Sequence, residues 1–212
     1  MSKLLKAWYN EATNEYFTPK IRMVYPTLLE PKVNRQFPNN APKFSSLCLV
    51  PKAADISAIA AAVQKFAADL YGADWKAKAA DDPTLAVKMP IKKTANNEKL
   101  AEFAEDYPFV ISVGANKDYP PALFGPDTKP LVKREASEVY GGRWAIMALN
   151  VWGPKPENKN INRFVSLGVQ RVQLLDHDDA IATGRIGTAE GFEAIETATI
   201  GGGSNGSTDD LF

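Results

Sequence analysis

The chain has 212 residues, 45% of them hydrophobic, and its 25 Lys and Arg balance 25 Asp and Glu to a net charge of zero. This is the composition of one sizeable globular domain with appendages, and no run approaches the roughly 18 consecutive apolar residues of a membrane span. A single cysteine, Cys48, excludes a disulfide framework, and its place in the apolar run SSLCLVP is that of a buried thiol.

The opening MSKLLKAWYNEATNEYF has no apolar stretch leading to a small-residue cleavage site, so a cytoplasmic protein is expected. Leu4, Leu5, Trp8 and Tyr9 fall at spacings of one helical face, which makes residues 1–17 an N-terminal extension with a short helix. TPKIRMVYPTLLEP, from Thr18, is rich in β-branched and aromatic residues and reads as a strand between prolines. A loop rich in Asn and Pro follows, and KFSSLCLV is a second strand stopped by Pro51.

DISAIAAAVQKFAADLYG is the one strong helix. Asp55 suits the N-cap, Ile56, Ile59, Val63, Phe66 and Leu70 form the apolar stripe, and Gly72 ends it. Residues 73–106 read as a long polar excursion with short helices at most. YPFVISVGAN is a strand, and the segment after it holds Pro120, Pro121, Pro126 and Pro130, which predict turns and extended loop. RWAIMALNVWG and NRFVSLGVQRVQLL are long alternating runs that predict a hairpin across PKPENKNI. Strands on both sides of a single helix predict a mainly β fold with one major helix. The expected form is a Greek-key, OB-fold-like β-barrel over residues 18–180, with long loops and an acidic, flexible, disordered C-terminal tail over 181–212.

Catalytic constellations are scarce. His177 is the one histidine, and no nucleophile elbow or Gly-Lys-Ser/Thr phosphate loop is present. DHDD, residues 176–179, could serve a metal-dependent nuclease, but adjacent acids rarely converge on one ion, and a solvated turn after the last strand is the better reading. No enzyme, catalytic residue, metal or cofactor is therefore expected.

What the chain does carry is aromatic residues beside bases, in KAWY, KIRMVYP, NRQFP, PKF, GGRW, VWGPK and NRFV. Single-strand binders combine a basic groove that follows phosphates with aromatic faces on which bases stack. Alternation places Ala145, Met147, Leu149 and Val151 inside the barrel and Trp144, Asn150 and Trp152 outside it, so Trp144 and Trp152 are candidates to stack on bases. Lys32, Arg35, Lys43, Arg143, Lys155 and Arg163 flank the first long loop or the last hairpin and are candidates for phosphate contact. Charge supports this: residues 176–212 hold eight acids against one base, a net of −7, so residues 1–175 carry +7.

The succession KIRMVYPTLLEPKVN, APKFSSLCLVPKAADISAIAAAV, KMPIKK, YPFVISVGANKDYPPALFGPDTKPL, SEVYGGRWAIMALNVWG and VSLGVQRVQLL resembles a family of phage-encoded single-stranded-DNA-binding proteins first catalogued as a domain of unknown function. It covers residues 20 to 180, and its most specific segments are PKFSSLCLVPK, GPDTKPL, VYGGRWA and NVWG. The resemblance implies an oligonucleotide-binding barrel that coats single-stranded DNA with little sequence preference, without catalysis, during phage DNA replication or recombination in the host cytoplasm. A viral structural or assembly protein whose barrel binds protein is the alternative, and a homo-oligomer is compatible with either.

GGGSNGSTDDLF, residues 201–212, cannot build a core. Its Gly/Ser stretch 201–208 reads as a tether reaching on the order of 15 Å. Asp209 and Asp210 followed by Leu211 and Phe212 resemble the tails through which single-strand-binding proteins recruit replication and recombination proteins, so these four form a candidate partner-binding segment.

Overall fold

The computed structural model describes residues 4–34, 38–132, 135–155 and 163–181. Nine strands and two α-helices follow in the order β1 (Trp8–Asn10), β2 (Glu15–Phe17), β3 (Ile21–Val24), β4 (Lys43–Val50), α1 (Ser57–Tyr71), α2 (Trp75–Asp81), β5 (Ile91–Lys93), β6 (Phe109–Asn116), β7 (Ala122–Phe124), β8 (Trp144–Trp152) and β9 (Ser166–Leu174). Five of these strands close a ring. β8 pairs with β3, β3 with β4 and β4 with β6, all antiparallel; β6 then pairs in parallel with β9, and β9 returns antiparallel to β8. Closure removes the barrel's exposed edges, and a five-stranded Greek-key ring with one parallel pair is the oligonucleotide-binding arrangement expected from the sequence.

The interior follows alternation. Ala145, Met147 and Leu149 of β8 have no exposure, and from β9 Leu167, Val169, Val172 and Leu174 join them. The Cys48 thiol lies 3.6 Å from the Met147 sulfur, and burial pushes its pKa up to about 12, so it stays a neutral core group. Between Val169 and Val172, both inward, two β9 residues stand opposite the single residue Ala148. This bulge turns Gln170 and Arg171 together toward the outer face.

The N-cap of helix α1 is Ile56 rather than the expected Asp55, which lies one residue earlier and accepts the Ser57 N–H at 2.8 Å through Oδ1; the helix ends at Gly72, whose φ of 93° suits only glycine. Its buried stripe is Ile59, Val63, Ala67 and Tyr71, while the expected Phe66 and Leu70 are half-buried at its margin. The stripe joins the barrel residues in one continuous core, each large apolar side chain contributing about 1.5–3 kcal/mol.

The expected N-terminal helix is not formed. Residues 8–17 make the hairpin β1–β2, turning at Asn14, whose φ is 53°. Cross-strand aromatic pairing outweighs the helical spacing: Trp8 stacks on Phe17 at 4.9 Å between ring centres and Tyr9 meets Tyr16 at 4.8 Å. Tyr16 and Phe17 then pair with Leu149 and Ala148, so the hairpin extends the sheet from β8. The long excursion also holds more order than its composition suggests, with α2, strand β5 on the edge of β6, and a 3-10 turn at Ala101–Phe103. Leu100 packs with Val24, Leu49 and Val110 in a second cluster.

Candidate nucleic-acid interface

Four neighbouring strands place a row of small side chains across the barrel's outer face. Ser45 pairs with Gly114, Gly114 with Gly168, and Gly168 with Asn150. Directly paired residues share a face, so the row forms a trough where bulky side chains would otherwise stand. The adjoining rows supply the walls: Lys43 pairs with Asn116, and Trp152 with Ser166. Tyr119, 74% exposed, stands at the rim. Together with Gln170 these residues enclose a cavity of about 440 Å³. Phe164 meets Trp152 in T-shaped geometry at 5.4 Å, which holds the indole without stacking on it, and Trp152 remains 41% exposed. The groove thus combines two aromatic side chains, a lysine and a glycine floor, the ingredients for stacking bases and neutralising phosphate.

Lys43 and Lys32 exchange backbone hydrogen bonds of 2.9 and 3.0 Å and close the long β3–β4 connection. Lys43 lines the groove, whereas Lys32 faces a separate hollow with Pro26, Leu29 and Val139. Lys155 is exposed where the β8–β9 connection leaves the barrel. Arg163 returns from that connection with its guanidinium 5.6 Å from the centre of the Tyr71 ring. Arg35 and the segment Asp209, Asp210, Leu211 and Phe212 lie outside the described residues.

Besides Lys32, two sequence candidates are placed away from the groove. Arg143 is 3% exposed, and its Nη1 reaches Glu138 at 3.3 Å and the His177 ring, so its charge is spent inside the protein. Trp144 shares the outward parity of Trp152 but sits at the opposite end of β8, about 26 Å away at the usual strand rise. Residues 176–179, expected as a solvated turn, fold back beside it together with residues 180 and 181. Trp144 Nε1 donates to Asp178 Oδ2 at 2.8 Å, and the Lys20 and Arg22 cations lie 4.8 and 5.8 Å from its ring centre. Lys20 bonds Asp176 at 2.7 Å; Arg22 meets Asp178 at 3.4 Å and donates to the Asp179 carbonyl at 2.8 Å. Lys20 holds the Asp176 carboxyl below the usual range, and the Asp179 N–H and the Trp144 indole N–H do the same for Asp178. The strap ends where the Ile181 N–H donates to the Gly141 carbonyl at 2.8 Å.

Sequence reasoning missed Tyr119 and the glycine floor. Tyr119 lies in a proline-rich stretch with no strand signal, and Gly114 and Gly168 acquire meaning only when the parallel pairing brings them together.

The closed ring and the groove across it define an oligonucleotide-binding barrel. The chain belongs to the family of the single-stranded-DNA-binding protein of Enterobacter phage Enc34, whose profile matches residues 14–200. The family description and the solved structures that follow each name a single-stranded-DNA-binding protein. The Enc34 protein solved in complex with single-stranded DNA is similar in fold, with a TM-score of 0.61 at 20% identity, covering 86% of this chain and all of that one (100%). The same phage protein solved in a second structure gives 0.60 at 20% identity, covering 91% and 96%. The gp2.5 single-stranded-DNA-binding protein of bacteriophage T7 gives 0.54 at 12% identity, covering 81% and 96%. No curated protein sequence matches the chain. Among the described residues no helix is long and apolar enough to cross a membrane.

Proposed function

We propose that this protein coats single-stranded DNA, laying the strand along the groove between Lys43 and Trp152. The observation that carries the reading is the glycine-floored trough with Trp152, Tyr119 and Lys43 on its walls. Bases stack on Trp152 and Tyr119, while Lys43, Lys155 and Arg163, joined by Arg35 of the first long loop, neutralise phosphates. Stacking accepts every base, so overall sequence preference is small. Family membership supports a role in phage DNA replication or recombination within the host cytoplasm. The acidic segment Asp209, Asp210, Leu211 and Phe212 recruits replication or recombination proteins, and a chain lacking residues 201–212 should lose that capture.

Titration of oligo-dT against tryptophan fluorescence tests the reading. Quenching should accompany binding, and log K should fall with log salt at a slope of about −0.7 per phosphate neutralised. Absent binding, or affinity independent of salt, would leave the alternative of a barrel that binds protein.

A further inference from the structure

The groove contains a feature that stacking alone does not need. Asn150 and Gln170 stand side by side on it, Gln170 Nε2 donating to Asn150 Oδ1 at 3.1 Å. Three independent features of the backbone produce this pair. Gln170 follows the inward Val169 and so points outward by alternation, and the β9 bulge leaves it unpaired while Arg171 takes the place opposite Ala148. Gly168 leaves the space that the Asn150 side chain occupies, since a Cβ there would collide with Asn150 Oδ1. Gly114, paired with Gly168, keeps the neighbouring floor equally bare.

The one hydrogen bond leaves the Asn150 amide N–H groups and the Gln170 carbonyl oxygen without a partner among the described residues. They form an adjacent donor and acceptor on a groove that also presents the Trp152 ring. Phosphate offers only acceptors, and an aromatic face offers neither in this geometry. A base edge offers both.

Resting on the groove reading above, we propose that Asn150 and Gln170 are a base-reading amide pair. One nucleotide of the bound strand is recognised by its hydrogen-bonding edge while its neighbours are held by stacking and charge. A single Asn or Gln amide pairs bidentately with adenine, and here the Asn150 N–H groups and the Gln170 oxygen supply the same donor–acceptor couple from two residues, so adenine is the expected base. Gly168 and the bulge are positioning features for this pair.

The test uses the full-length chain and strands of about 12 nucleotides, within the usual site size of this fold. Oligo-dT is compared with oligo-dT carrying one central dA, dC or dG, and oligo-dC with oligo-dC carrying one central dT or dA. The parent chain should prefer one base, adenine, by at least about fivefold, toward the low end of what a bidentate base contact contributes. Gln170→Ala, at an exposed position, should flatten that profile. Asn150→Ala should flatten it as well. A preference for another base that disappears in Gln170→Ala still supports the amide pair.

A flat profile in the parent, or a preference that survives in Gln170→Ala, overturns the amide pair and leaves the groove reading standing. Failure of the parent to bind oligo-dT, or full binding by Trp152→Ala, overturns the groove reading and the amide pair with it.

Discussion

Trp152 and Trp144 lie on the same face of the same strand and should respond to truncation in opposite ways. Trp152→Ala removes a ring that is 41% exposed and lines the groove, so its cost falls on binding. A base–aromatic stack contributes about 1–3 kcal/mol, which corresponds to a Kd roughly 5–150 times weaker, with thermal stability little changed. Trp144→Ala removes a half-buried indole held by Asp178, Lys20 and Arg22. Truncating a fully buried large aromatic costs about 3–5 kcal/mol, so about half of that, roughly 2 kcal/mol, is expected here. With a urea m-value of about 1–3 kcal/mol/M, the unfolding midpoint should drop by about 1 M. Oligo-dT affinity should stay within about twofold of the parent. Fluorescence titration measures the first quantity and urea unfolding the second. A folded Trp144→Ala chain that binds DNA at least about fivefold more weakly, or a Trp152→Ala chain that binds normally, would refute this division of labour.

Gly142 has a φ of 111° and its missing Cβ would run into the Asp179 carbonyl, so Gly142→Ala should destabilise the chain by at least about 1–2 kcal/mol and expose the Ile181 amide to hydrogen exchange. Asp176 and Asp178 have folded pKa values below their unfolded ones; the stability they add is present above the unfolded value and lost as pH falls through the folded one. Acidification below the usual carboxylate range should therefore release the strap, read as a change in Trp144 emission in a chain whose Trp8, Trp75 and Trp152 are replaced by Phe, and Asp178→Asn should weaken that transition. Cys48 should resist thiol reagents at pH 8 in the folded chain and react fully in denaturant, since its thiol is buried with a pKa of about 12.

The parts of this molecule that could be read from its sequence are those in which a local pattern and the tertiary structure demand the same thing. The alternation of Ala145, Met147 and Leu149 matches the barrel interior, and the β8–β9 hairpin follows from two long runs across a polar connection. Helix α1 carries its own apolar stripe and glycine stop. Where local pattern and pairing compete, pairing wins: Leu4, Leu5, Trp8 and Tyr9 have helical spacing, but Trp8 and Tyr9 find aromatic partners across a turn.

The site was legible by face and not by position. Parity correctly put Trp144, Asn150 and Trp152 outside, yet it cannot say which end of β8 an acidic segment from residues 176–181 will cover. Arg143 looks like a loop cation in sequence, and only the fold reveals Glu138 and His177 beside it. Alternation from Val169 puts Gln170 outside, but the outward turn of Arg171 beside it follows from a bulge, which is a departure from alternation.

The parallel join between β6 and β9 consists of two residue pairs, Val113 with Leu167 and Gly114 with Gly168. The same glycines that let a ligand come close are therefore the ones that complete the cylinder. A side chain added at either position acts on assembly and on recognition at once, so adaptation cannot tune one without the other. Lys43, Tyr119 and Trp152 hang from strand ends and a loop, outside that join. Within this architecture a change at the seam acts on closure, whereas a change at the rim leaves closure alone.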